Sequence, residues 1–149
     1  MQINIYSFSK NMMFEPEIKE YLKRITIKTN IIKLKPGQSS NPLECKKEEA
    51  GIFLNKYKNI KNLIILDENG ENFNSNNFAH WYSKQLSKTV SLDFLIGGAF
   101  GIDESVKQVA NSQISLSKLT FPHKFVPLLL VEQIYRAISI INQHPYHKE

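Results

Sequence analysis

The chain has 149 residues, 42% of them hydrophobic and 22% charged, a balance that excludes an intrinsically disordered chain and a fibrous repeat. Lys and Arg number 19 against 14 Asp and Glu, for a net charge of +5, and the excess is uneven. Through Lys61 twelve basic residues face six acidic ones, whereas from Asn62 onward seven face eight. A basic half joined to a near-neutral half points to a polyanion met by one region, the alternative being a lysine-rich solvated surface.

At this length one domain spanning 1–149 is expected. The lone Cys45 excludes a disulfide framework and a multi-cysteine zinc site, and reads as a spare thiol in a polar helix. No metal is expected. The start, Met1-Gln2-Ile3-Asn4-Ile5-Tyr6, alternates and lacks the basic-then-apolar order of a signal peptide. The late apolar run Phe125 to Val131 is too short to span a bilayer. A soluble, cytoplasmic protein is expected.

In chain order, Gln2 to Ser7 alternates as a strand. Glu17 to Ile25 places Ile18, Tyr21, Leu22 and Ile25 on one helical face. Thr29 to Leu34 is β-rich, and the Pro- and Gly-containing stretch Pro36 to Pro42 reads as a flexible loop. Leu43 to Tyr57 is helical in composition. Asn62 to Leu66 is a short strand ended by the turn signal Asp67-Glu68-Asn69-Gly70. Ser75 caps a helix through about Lys88, Leu92 to Ile96 is a buried strand, and Asp103 caps a helix to Ala110. Ile114 to Leu116 reads as a last strand, and a final helix runs from about Lys124 to Ile141, with Pro127 tolerated in its first turn. Strands alternating with helices predict an α/β fold with a mostly parallel sheet flanked by helices. Ligands of such sheets bind beyond the strand carboxyl ends, here after Leu66, after Ile96 and after Leu116.

All three places carry unusual residues. Gly97-Gly98-Ala99-Phe100-Gly101 has G-G-x-x-G spacing, neither the dinucleotide fingerprint nor a P-loop. Alone it is a tight strand-to-helix turn. Leu116 to His123 is too polar for a core strand and too apolar for a solvated loop, as a pocket lining would be, although it also serves as a lead into the last helix. In that helix Glu132, Arg136, Ser139 and Gln143 form one polar stripe, and the surrounding Leu, Ile and Val residues imply burial on two sides, one of them a homodimer interface. Arg136 either pairs with Glu132 or directs its fork at phosphate. The end, His144-Pro145-Tyr146-His147-Lys148-Glu149, is too dense in functional side chains for a fraying terminus.

Leu63 to Asp67, Phe94 to Gly101, Leu116 to His123, Glu132 to Ala137 and His144 to Glu149, taken together, resemble the bacterial ribosomal RNA large subunit methyltransferase H family, of the SPOUT class. The resemblance spans the full length and is most specific in the C-terminal motifs. It implies a SPOUT domain with a C-terminal trefoil knot, acting as a homodimer. The implied reaction moves a methyl group from S-adenosylmethionine to N3 of a pseudouridine in 23S rRNA on assembled ribosomes. It further implies that Leu66, Gly97, Gly98, Leu116, Ser117, Lys118, Leu119, Thr120 and Phe121 hold the cofactor.

Because a sulfonium methyl is already electrophilic, alignment supplies much of the catalysis and no cysteine nucleophile is needed. One base near the imide nitrogen helps. His144 is the candidate base or proton relay and His123 the runner-up, with Tyr146 and Arg136 positioning the target base or its phosphate. The tail becomes the expected lid of a cofactor pocket at a dimer interface. Lys19, Lys23, Arg24, Lys28, Lys33, Lys35, Lys46 and Lys47 are the expected phosphate contacts, which position RNA without reading sequence. Competing readings are a non-catalytic RNA-binding module, a nucleotide-using enzyme, and a methyltransferase acting on another RNA.

Overall fold

Alternate residues of three central strands are buried on opposite faces of one sheet in the computed structural model, which describes residues 1–148. The strands are β1 (Gln2–Phe8), β2 (Lys28–Leu34), β3 (Leu63–Asn72), β4 (Ser91–Ile96) and β5 (Ser112–Ser115), in the order β2-β1-β4-β3-β5. Every pairing is parallel, so the expected mostly parallel sheet is wholly parallel among the described residues. Parallel strands need helical crossovers and end up covered on both sides. Ile3, Ile5, Ile64, Leu92, Phe94 and Ile96 point to a layer formed by α1 (Glu15–Arg24), α3 (Ser75–Leu86) and α5 (Val126–Ile141). Tyr6, Phe8, Leu63, Ile65 and Leu95 point to α2 (Pro42–Lys56) and α4 (Glu104–Val109).

α5 packs between α1 and α3. Leu130, Val131, Ile134 and Ala137 sit in the core, while Tyr135, Ile138 and Ile140 are half-buried against it. Much of the second buried side expected of this helix is therefore supplied within its own chain. A one-turn 3-10 segment, His123–Phe125, precedes it. Pro127 falls in its first turn as expected.

Five details depart from the sequence reading. β3 does not stop at the Asp67-Gly70 turn signal but continues to Asn72, with its register on β5 shifting between Leu66 and Glu71. The extra residues bulge out, and Gly70 permits this because a Cβ there would lie 2.7 Å from backbone atoms of Ile114. β5 covers Ser112–Ser115, slightly earlier than expected, because its pairing with β3 sets its limits. Asn74, not Ser75, caps α3, accepting from the Asn77 amide at 2.8 Å. The loop after β2 is fastened to α2: the Gln38 and Ser39 amides donate to the two oxygens of Glu48 at 2.9 and 3.2 Å. Cys45 on the same helix is buried beneath that loop, so it is a packed thiol and not a spare one on a polar face.

On the α2 side of the sheet the Asp93 carboxylate is buried, and its side-chain donors among the described residues are neutral. Asn4 Nδ2 and Tyr6 Oη donate to Oδ1 at 2.9 and 3.1 Å, and Ser91 Oγ donates to Oδ2 at 2.7 Å. Burial and the neighbouring Asp93 push the Tyr6 phenol well above its usual range.

Gly70→Ala forces β3 away from β5, and an overpacked backbone contact of this kind costs about 2 kcal/mol. Chemical denaturation is expected to show that loss, with a correspondingly lower thermal midpoint.

Candidate active site

The carboxyl ends of β4, β3 and β5 lie side by side, so the segments leaving them meet at one edge of the sheet. A cleft of about 400 Å³ opens there. It is lined by Leu66 to Asn69 from β3, Ile96 to Ile102 from β4 and the turn after it, and Ser115 to Phe121 (except Lys118) with His123. Leu66, Gly97, Gly98, Leu116, Ser117, Leu119, Thr120 and Phe121 are thus brought together, whereas the exposed Lys118 is not part of the lining.

The glycines of the β4 turn are sterically required. A Cβ on Gly97 would meet the Gly101 backbone and Ile102 Cγ1 at 2.8 Å. Gly98 and Gly101 close the turn, the Gly101 amide donating to the Gly98 carbonyl at 3.1 Å, and Gly101 holds φ of 88° in the left-handed region. Asp103 then caps α4 as expected, accepting from the Ser105 amide at 3.1 Å.

Short polar contacts organise the segment after β5. Ser115 Oγ donates to the Ser117 carbonyl at 2.6 Å, and the Leu119 amide donates to Ser117 Oγ at 3.0 Å. Thr120 Oγ1 crosses to Glu68 Oε2 at 2.6 Å, tying this segment to the β3 bulge. Leu119 and Phe121 remain exposed at the rim. His123 is half-buried in the cleft wall, where burial first, and the charge of Lys124 second, lower its pKa and favour the neutral imidazole.

Several lining residues escaped the sequence reading. Lys107 of α4 and Asp67 form an ion pair at 2.8 Å on the cleft wall. Lys46, counted only as a basic surface residue, reaches the cleft from α2. The Asp67-Gly70 turn signal was the only visible trace of this wall, and it did not reveal Lys107 as a partner forty residues on.

The three C-terminal candidates form a separate cluster and do not line the cleft of their own chain. α5 ends in a Schellman turn: the Gln143 amide donates to the Ile140 carbonyl at 3.2 Å and the His144 amide to the Ser139 carbonyl at 2.8 Å, with Gln143 at φ 56°. The chain then folds back along α5. Tyr146 Oη donates to Glu132 Oε1 at 2.9 Å and shares a 3.0 Å hydrogen bond with Tyr21 Oη. Burial, then these two bonds, push the Tyr146 phenol well above its usual range.

Arg136 Nε donates to Glu132 Oε1 at 3.0 Å, Nη2 reaches the same oxygen, and Nη1 lies 3.2 Å from His147 Nδ1. Its guanidinium stands 4.8 Å from the centre of the Tyr146 ring. Arg136 is thus paired with Glu132, one of the two roles open to it. His144 is exposed, and its Nδ1 accepts from the Tyr146 amide at 3.2 Å. Glu149 lies outside the described residues.

Among the expected RNA contacts Lys23, Lys28, Lys33, Lys35 and Lys47 are exposed, with Lys28 and Lys33 on the edge strand β2. Lysines also guard an edge strand against unwanted pairing. Lys19 and Arg24 are exposed but paired with Glu15 and Glu20 one helical turn away. Among the described residues no helix is long and apolar enough to cross a membrane, and no group of three or more His, Cys, Asp or Glu is placed to hold a metal.

Known proteins share this architecture. A family described as "Predicted SPOUT methyltransferase" matches residues 1–147. Two solved structures share the fold: a probable methylase family protein from Haemophilus influenzae (TM-score 0.62, 9% identity, 99% of this chain and 70% of that one) and the tRNA (m1G37) methyltransferase of Aquifex aeolicus (TM-score 0.53, 17% identity, 100% and 76%). Curated relatives are more similar in sequence. Ribosomal RNA large subunit methyltransferase H of Pseudothermotoga lettingae is 38% identical over 99% of each chain. The protein of that name from Campylobacter jejuni is 40% identical over 99% of this chain and all of its own. The chain belongs to the SPOUT methyltransferases and, within them, to the ribosomal RNA large subunit methyltransferase H family.

The Asp67–Lys107 pair has a pH signature. Burial raises the Asp67 pKa, but the Lys107 hydrogen bond, the Asn69 amide and the Lys107 charge outweigh it, so the net shift is downward. A depressed carboxylate pKa contributes stability that is present above the unfolded value of about 3.9 and lost as pH falls through the lower folded value. Relative to wild type, Asp67→Asn is therefore expected to be less stable at neutral pH and to lose less stability on acidification, read from denaturation curves across pH.

Proposed function

We propose that the chain is an S-adenosylmethionine-dependent methyltransferase of 23S rRNA that methylates N3 of a pseudouridine on assembled ribosomes. The observation that carries this reading is the convergence of the Gly97–Gly101 turn, the β3 bulge and the 116–121 segment on one cleft. Its volume lies within the range of small-molecule sites. Gly97 and Gly98 line the cleft with their backbone, and the mixed polar and apolar lining suits a molecule with an adenine, a ribose and an amino-acid end. Bound there, S-adenosylmethionine would supply an electrophilic methyl group.

The protein's part is then to hold, orient and deprotonate. Leu66, Gly97, Gly98, Leu116, Ser117, Leu119, Thr120 and Phe121 hold the cofactor, and Lys118 takes part through its backbone. His144 accepts the imide proton. Tyr146 and Arg136, locked to Glu132, fix the tail from which His144 projects.

Because the tail lies outside the cleft of its own chain, a homodimer is part of the proposal. The exposed Leu119, Phe121, Phe125 and Ile141 give it apolar surface to bury, and the tail of one subunit then closes the cleft of the other. The adjoining 97–101 and 116–121 segments are where the implied trefoil knot would be threaded. The protein works as one domain, in the cytoplasm with its ribosomal substrate, and the exposed lysines of α1 and β2 meet rRNA phosphates.

Calorimetry is expected to show S-adenosylmethionine binding to the purified protein, and labelled-methyl assays to show transfer to ribosomes that carry the pseudouridine and not to ribosomes that lack it. Absence of cofactor heat and of a thermal shift would leave an RNA-binding module as the better reading. In His144→Ala the methylation rate is expected to fall about 100-fold, within the range of general-base effects, with cofactor binding unchanged. An unchanged rate reduces the tail to a clamp.

Ribosome affinity is expected to fall linearly with log salt, the slope shrinking when Lys28 and Lys33 are both changed to Gln. A flat salt dependence assigns those lysines to edge protection.

A further inference from the structure

Against the glycine turn, and not among the residues lining the cleft, lies a carboxylate for which the methyl-transfer scheme gives no role. Glu49 of α2 is 3% exposed. Its Oε2 accepts from the Gly37 amide at 3.1 Å, and Oε1 has no hydrogen-bond partner among the described residues. Both oxygens press on Gly98: a Cβ there would lie 2.5 Å from Oε2 and 2.6 Å from Oε1, and Glu49 supplies all three of the closest atoms. Burial raises the Glu49 pKa, the Gly37 amide counters this, and the charge of Glu48 adds to it. A buried acidic group is costly unless its surroundings satisfy it, yet here a helix otherwise bearing Ala50 and Phe53 toward the core carries one.

A long, unbranched side chain ending in two acceptors reaches from α2 to two backbone segments at once. One is the loop that leaves the basic strand β2, and the other is the turn that forms the cleft floor. An apolar residue in its place would leave the Gly37 amide without this acceptor.

We propose that Glu49 is a positioning residue for the cofactor, holding the Gly97–Gly101 turn in its binding shape by bracing Gly98 from behind while anchoring Gly37. This rests on the reading of the cleft as the S-adenosylmethionine site. Gly98 is then glycine because the place a side chain would take is filled by the Glu49 carboxylate.

The test measures S-adenosylmethionine affinity by calorimetry, together with KM and kcat on ribosomes. Glu49→Gln keeps the shape but replaces one carboxylate oxygen with an amide group that cannot accept, and is expected to weaken cofactor binding about tenfold, raising KM for the cofactor with kcat little changed at saturation. Glu49→Ala is expected to weaken it further. Gly98→Ala alone is expected to lose at least tenfold, because the three atoms nearest its new Cβ belong to Glu49, and the double variant Glu49→Ala with Gly98→Ala to bind no worse than either single one. Cys45→Ala, a buried change on the same helix, is expected to lower the thermal midpoint while leaving cofactor affinity unchanged.

Cofactor affinity within twofold of wild type in Glu49→Gln, or additive losses in the double variant, overturns the proposal. So does a matching affinity loss in Cys45→Ala. Should Glu49→Ala fail to fold, the isosteric Gln variant decides. Should the wild-type protein bind no S-adenosylmethionine, the functional reading fails on its own. Hydrogen exchange of the Gly98 to Gly101 amides without ligand then decides the role of Glu49, with faster exchange expected in Glu49→Gln and an unchanged rate overturning it.

Discussion

Everything at the functional edge of this protein depends on how closely three parallel strands approach one another. β3 lies between β4 and β5, and Gly70 lets its bulged half rest directly on the β5 backbone. That contact puts the ends of β4, β3 and β5 within reach of one small molecule. It also pushes Asp67, Glu68 and Asn69 outward, where Lys107 and Thr120 fasten them. With a side chain at position 70, the bulge and the Thr120 tether could not both persist in this arrangement.

The same economy appears in the helices. α5 is wedged between α1 and α3, which accounts for much of its apolar circumference. On its polar stripe Glu132 collects Arg136 and Tyr146, and through Tyr146 it reaches Tyr21 on α1. A carboxylate shared by a guanidinium and a phenol makes charge-assisted hydrogen bonds, stronger than neutral ones. The C-terminal segment is thereby held to the body of its chain, with the His144 ring exposed. On the opposite side of the sheet, Glu49 joins the loop after β2 to the glycine turn. Two buried or half-buried glutamates, one on each helical layer, thus secure the irregular segments that carry the proposed chemistry.

The family and the three cleft-lining segments were legible in the sequence, since each depends on short-range signals. Glycines at fixed offsets, alternating apolar strands and the Asp103 cap need only neighbours within a few residues. Less legible was the course of β3, because Asp67-Glu68-Asn69-Gly70 carries turn chemistry and is kept in the sheet only by β5, which lies some forty residues later. The roles of Tyr21, Lys107 and Glu49 were hidden for the same reason. A tyrosine on an apolar helical face, a lysine in a short helix and a glutamate among other glutamates look ordinary until a distant partner is placed beside them.

By itself the sequence determined the alternation of strands and helices, the basic first half, the glycine turn and the motifs of the family, because local propensity, hydrophobic period and residue chemistry act along the chain. Tertiary structure decided which of those pieces meet. It joined the three strand ends into one cleft, committed Arg136 to Glu132, placed the tail on α1 and α5 instead of over its own cleft, and set Glu49 behind Gly98. The physical reason is that hydrogen bonds, ion pairs and steric exclusion operate over a few ångströms, and only the packing of both sheet faces determines which distant residues come that close.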